Sequence, residues 1–126
     1  MPYKPEGHTS VAPYLIVPDA EATLAFVRAV FGAEPIFLVR NDDGAIMHAE
    51  FRIDDTVVMC GQSRGVPPSH VHVYLPDVDA AFDRALAAGG KVEQEIAEKG
   101  DGDRRGGVAD PNGTVWWLST QISPRA

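Results

Sequence analysis

VPDAEATLAFVRAVFG, residues 17–32, and LPDVDAAFDRALAAGG, residues 75–90, are two copies of one pattern. Aligning their Pro-Asp pairs sets an offset of 58 positions, which carries Glu21 onto Asp79, Leu24 onto Phe82 and Gly32 onto Gly90. The same ungapped offset, carried further, brings Asp54 onto Asn112, Thr56 onto Thr114 and Val57 onto Val115. Self-similarity held by one offset across two separated stretches marks a duplicated module.

Each module reads as strand, helix and three strands. Tyr14–Val17 and 71–75 are apolar or aromatic runs of strand type. Asp19 and Asp77 follow as N-caps, and the stripes Ala20, Leu24, Val27, Phe31 and Val78, Phe82, Ala85 recur at helical spacing. Gly32 and Gly89-Gly90 suit the left-handed ends of helices. Strands are then expected at 35–40, 46–53 and 56–61, and again at 91–97, 106–110 and 114–119. The fold class is α+β, two tandem βαβββ modules at about 9–62 and 69–121 within a single domain of 1–126. The charged, glycine-rich stretch 98–105 reads as a flexible loop, with Asp103 solvated and Arg104 and Arg105 available to clamp an anion.

Composition narrows the function. A formal charge of −7, with no basic run longer than Arg104-Arg105, argues against a nucleic-acid partner. It suits a neutral or cationic ligand better. One cysteine, Cys60, excludes an internal disulfide and fits a cytoplasmic protein. MPYKPEGHTS has no apolar signal region, and no segment has membrane-spanning length. The stretch 61–65 lacks the lysine and following helix of a phosphate loop, and no serine or cysteine sits in a nucleophile elbow.

The paired modules resemble the vicinal oxygen chelate superfamily, which holds glyoxalase I, extradiol dioxygenases and bleomycin-resistance proteins. YLIVPDAEATLAFVRAVFGAEPIF, IMHAEFRIDDTVVM and GDRRGGVADPNGTVWWL are similar to its PhnB-like branch. The resemblance implies sheets curled around a cleft, in a homodimer whose interface helps shape the sites. It also implies metal-ligand positions on the first and last strands of each module, which fall here on Ala12, Met59, His70 and Trp117. Only the histidine is a good ligand for a divalent ion of that kind, so neither metal nor other cofactor is expected.

Strand alternation puts Tyr14, Ile16, His48, Glu50, Arg52, Val57 and Met59 on the cleft face of module one. From module two it puts His70, His72, Tyr74, Val108, Val115 and Trp117 there, with Trp116 and Cys60 on the core side. Aromatic walls with a few polar groups describe a small-molecule site. The expected ligand-binding set is Tyr14, His48, Glu50, Met59, His70, His72, Tyr74, Arg105 and Trp117, with no catalytic residue assigned. Plainer roles stand beside these: core filling for Met59 and Trp117, structural hydrogen bonding for the histidines, a surface ion pair for Glu50. The leading expectation is a metal-free protein that sequesters a bulky, partly aromatic compound such as an antibiotic. The alternative is a metal-dependent lyase, isomerase or dioxygenase using a relocated group of His48, Glu50, His70 and His72.

Overall fold

A computed structural model describes residues 3–124, so the outermost ends of the expected 1–126 domain lie outside the described residues. The chain divides into two compact units, 1–66 and 67–126, each holding one module. The first contains β1 (Tyr14–Val17), α1 (Ala20–Phe31), β2 (Pro35–Arg40), β3 (Ile46–Ile53) and β4 (Thr56–Gln62). The second contains β5 (His70–Tyr74), α2 (Val78–Ala87), β6 (Lys91–Glu98), β7 (Asp103–Ala109) and β8 (Val115–Gln121).

Both sheets have the same topology, β1-β4-β3-β2 and β5-β8-β7-β6. In each, the first strand runs parallel to the last and the remaining pairs are antiparallel. The parallel pairing requires a crossover, which the helix supplies. Asp19 and Asp77 accept N–H groups of the first helical turns from Ala22 at 3.2 Å and Ala80 at 3.1 Å. Gly32 closes α1 at φ 66°, a left-handed conformation that a side chain would strain. Each helix start is also tied to the last strand of its own sheet. The Ala20 N–H donates to Gln62 Oε1 and the Val78 N–H to Thr120 Oγ1, both at 3.0 Å. Gln62 and Thr120 stand at equivalent positions of the two copies.

One face of each sheet packs under its helix. In module one Leu15, Val17, Ala49, Phe51, Val58 and Cys60 are buried there with Leu24, Val27 and Val30. The buried stripe of α1 is wider than expected, adding Thr23 and Phe26, while Phe31 is only half-buried. Burial pushes the Cys60 thiol up to about 11, so it is an inert core group. In module two the same layer holds Val78, Phe82, Val108, Trp116 and Leu118.

Several expectations need correction. Val108 pairs with Trp116 on the helix side and is fully buried, so it does not belong to the open face. The strand β7 begins at Asp103, three residues earlier than read, which moves the assigned run by strand pairing with β8. The loop read as 98–105 is correspondingly only 99–102, turned through Gly100 and Gly102 at φ 85° and 92°. Asp103 is 3% exposed, not solvated, because Tyr74 and Arg105 hold it in the sheet.

Candidate functional site

The turn Asp110-Pro111-Asn112-Gly113 leads into β8, where strand alternation puts the adjacent Trp116 and Trp117 on two faces. Asp110 Oδ1 accepts the N–H groups of Asn112 at 2.8 Å and Thr114 at 3.1 Å. Its Oδ2 accepts Trp116 Nε1–H at 3.0 Å, within the core. Burial raises the pKa of Asp110, and the hydrogen bonds from Trp116, Asn112, Thr114 and Gly113 offset this only in part. Trp116 is 0% exposed, and its one polar atom is satisfied by the carboxylate that also shapes the turn.

Trp117 lies on the opposite face, half-buried. Its strand neighbour is Gly107, where an added Cβ would fall 2.6 Å from Trp117 Cζ3 and 2.8 Å from Cε3. The indole therefore lies across the glycine, flat on the sheet. Trp117 Nε1–H donates to His70 Nδ1 at 3.1 Å, and the two rings lie side by side, nearly coplanar, with centroids 6.3 Å apart and an interplanar angle of 12°. Indole nitrogen only donates, so His70 Nδ1 must be bare and the ring proton sits on Nε2.

The rest of this face is a hydrogen-bonded row. Arg105 donates to Ser119 Oγ at 3.1 Å, and that hydroxyl stands 3.0 Å from His72 Nε2. Arg105 also donates to Asp103 at 2.9 Å and to Asp101 at 3.1 Å, while Tyr74 donates to Asp103 at 2.7 Å. Burial works against the charge on Arg105, but Asp101 and Asp103 hold its pKa above the ordinary value. Arg104 is engaged by Asp79 and Glu98. Both arginines read as anion clamps are thus committed to carboxylates of their own module. Beside Arg105 lies an open depression of about 460 Å³, lined by Asp101, Asp103, Ser123 and neighbouring residues.

Module one repeats the device with different residues. Tyr14, Met59, Glu50 and Phe37 lie in one row across β1, β4, β3 and β2. A Cβ on Gly61 would stand 3.0 Å from the Tyr14 hydroxyl, so this ring also crosses a glycine. Glu50 is 8% exposed and accepts from His48 Nε2 at 2.7 Å and His8 Nε2 at 2.6 Å. Tyr14 Oη lies 3.0 Å from His48 Nδ1. Burial pushes the Glu50 pKa up, but the hydrogen bonds and charges of His48 and His8 outweigh it and lower the pKa. Arg52, on the same face, turns to the Gly7 carbonyl at 2.9 Å rather than to Glu50. Val57 shares this face but is fully buried.

All nine expected site residues therefore lie on the sheet faces turned away from the helices, four in module one and five in module two. His8 was missed: it precedes the first strand, where no periodicity marks a partner for Glu50. Phe37 and the two glycines were missed as well, since only strand pairing shows what crosses them. Glu50 bonds to both His48 and His8, while His70 bonds to Trp117 and His72 to Ser119. Among the described residues no group of three or more His, Cys, Asp or Glu is arranged to hold a metal ion. The family's chelating positions do not fit one either: Ala12 has no donor atom, Trp117 only donates, and Met59 is a soft thioether.

Comparison with known proteins agrees with this architecture. An uncharacterized protein of Mycobacterium bovis is 36% identical over 90% of this chain and 84% of its own length. The crystal structure of TioX from Micromonospora sp. ML1 superposes with a TM-score of 0.77 at 24% identity, covering 90% of this chain and 99% of that one. A fosfomycin resistance protein, FosX, from Listeria monocytogenes gives 0.75 at 19% identity, covering 92% and 94%. These structural likenesses establish the fold. The sequence profile of one family matches residues 7–118, and on that match the chain belongs to the Glyoxalase/Bleomycin resistance protein/Dioxygenase superfamily.

Proposed function

We propose that this chain binds a bulky, partly aromatic small molecule, such as an antibiotic, without a metal ion of its own. One observation carries the reading: Trp117 lies flat on Gly107 with its N–H turned into His70. An indole held this way offers its outer π-face to a planar ligand and cannot serve as a metal ligand. His70, His72, Tyr74 and Arg105 would line this face, and Tyr14, His48, Glu50 and Met59 that of module one. Within the superfamily the three quoted stretches favour the PhnB-like branch, with both modules acting as one cytoplasmic domain.

The working form is a homodimer. Ile36, Phe37 and Leu38 are exposed in a run on the edge strand β2, whereas the equivalent edge β6 exposes Val92 alone among its large apolar residues, between Lys91, Glu93, Glu95 and Glu98. Charged edges resist pairing with another chain, and exposed apolar edges invite it. Sedimentation should show a two-fold species at tens of micromolar, roughly the range for an interface of standard size. A monomer there refutes the assembly.

Ligand binding is tested with planar aromatic compounds and a Trp116→Phe variant, in which Trp117 is the only tryptophan. Its fluorescence should be quenched on binding, and a Trp117→Phe variant should respond far less. The opposite order, or binding that EDTA abolishes together with a stoichiometric metal, refutes the reading.

A further inference from the structure

The hydrogen bonds on the face of module one have a direction that runs from the buried end outward. Glu50 is the fixed end. Its hydrogen bonds hold its pKa below the ordinary carboxylate value, so at neutral pH it only accepts. Both His8 Nε2 and His48 Nε2 must therefore carry protons. In the neutral form of His48 that proton is the ring's only one and Nδ1 is bare. The Tyr14 hydroxyl must then donate its own proton to His48 Nδ1. This leaves the Tyr14 oxygen, on a residue 47% exposed, with its remaining capacity entirely as an acceptor.

The surroundings narrow what would meet it. Phe37 is 53% exposed and stands edge-on to His48, with ring centroids 6.2 Å apart. Tyr14 is tilted against the same imidazole at 5.4 Å. Aromatic faces attract cations, and the anion beneath them has histidines rather than a lysine or arginine as its partners. The cation on this face, Arg52, is held by the Gly7 carbonyl.

We propose that the chain Tyr14–His48–Glu50–His8 anchors the amine of a ligand, its N–H donating to the Tyr14 oxygen while the Tyr14 and Phe37 rings hold the adjoining hydrocarbon. The proposal rests on the small-molecule reading above and adds the chemical class. His8 and Glu50 are positioning residues: they set the tautomer of His48 and, through it, the polarity of Tyr14.

Two measurements test it. Long-range proton–nitrogen NMR of the full chain at pH 8 should show His48 protonated on Nε2 and bare on Nδ1. A proton on Nδ1 overturns the proposal whatever binds. The second measurement follows resonances of Tyr14, Phe37 and His48 during titration with three matched probes: 2-phenylethylamine, 2-phenylethanol and 3-phenylpropanoate. The amine should bind most tightly and the carboxylate most weakly. Tyr14→Phe should weaken the amine about 3- to 10-fold, the range of one hydrogen bond, and leave the carboxylate within about 2-fold. Equal or tighter binding of the carboxylate, unchanged amine affinity in Tyr14→Phe, or no response to the amine overturns the proposal. Failure of the broader reading looks different: no planar compound quenches Trp117, while the His48 tautomer stands.

Discussion

Gly106 and Gly107 are adjacent, yet one methyl group on each should have separate consequences. Neither has a left-handed backbone, so alanine brings no φ strain and stiffens the unfolded chain, a gain of about 0.4–1 kcal/mol. On Gly107 the new Cβ would lie 2.6 Å from the Trp117 ring, against the 3.4–4 Å of ordinary contact. The ring must move by close to an ångström. Overpacking of this kind costs about 1–3 kcal/mol, and losing the 3.1 Å bond to His70 adds about 0.5–1.5 kcal/mol. Net of the entropy gain, Gly107→Ala should destabilise by roughly 0.5–4 kcal/mol and displace the Trp117 indole N–H resonance. It should also weaken a ligand stacked on the indole by roughly 0.5–1.5 kcal/mol. Gly106→Ala points the other way, 2.8 Å from Phe82 and 2.9 Å from Ile96 Cγ1. It should cost similar stability while leaving the Trp117 resonance in place. Urea denaturation followed by circular dichroism, with indole N–H spectra, reads both effects. If Gly107→Ala matches the parent in stability and indole shift, the indole does not lie on that glycine and the stacking platform is wrong.

Trp116→Ala should cost about 3–5 kcal/mol in urea denaturation, because it empties a fully buried site and removes a donor to Asp110. Asp110→Asn should destabilise by about 1–3 kcal/mol although it removes a buried charge, since one amide cannot accept at both former oxygens. Acid titration should separate Glu50 from Asp110, two buried carboxylates whose pKa values move in opposite directions. Glu50 has a lowered folded pKa, so its contribution is present above the unfolded value and is lost as pH falls through the folded one. Asp110 has a raised folded pKa, so its contribution is full below the unfolded value and is lost as pH rises through the folded one. Glu50→Gln should therefore flatten the acid limb of the stability profile, and an unchanged limb would show that Glu50 does not couple to folding. His70→Gln should weaken ligand binding by about 0.5–1.5 kcal/mol, one hydrogen bond; complete loss together with a bound metal would contradict the metal-free reading.

The duplication, both N-caps and the phase of Trp116 against Trp117 were legible because each is a local or periodic property. An offset of 58 survives in any fold, an aspartate before a helix caps it from its own position, and alternation divides neighbouring residues between faces. The mistake at Asp103 arose because composition made 98–105 look like a loop, while pairing with β8 holds residues from Asp103 onward in the sheet; Val108 lay within the expected strand, and its face was set by its pairing with Trp116. No one-dimensional signal reports that pairing. The identity of Glu50 as a polar group on the open face was readable from alternation, but its partner His8 comes from 42 residues away, outside any repeat. Likewise a glycine in a strand reads only as a weak point until the chain beside it lays a tryptophan or tyrosine across it. Sequence by itself thus determined what recurs along the chain, the modules and their faces. Only tertiary structure decided which donors meet which acceptors, because a hydrogen bond depends on distances of about 3 Å between residues that the sequence keeps far apart.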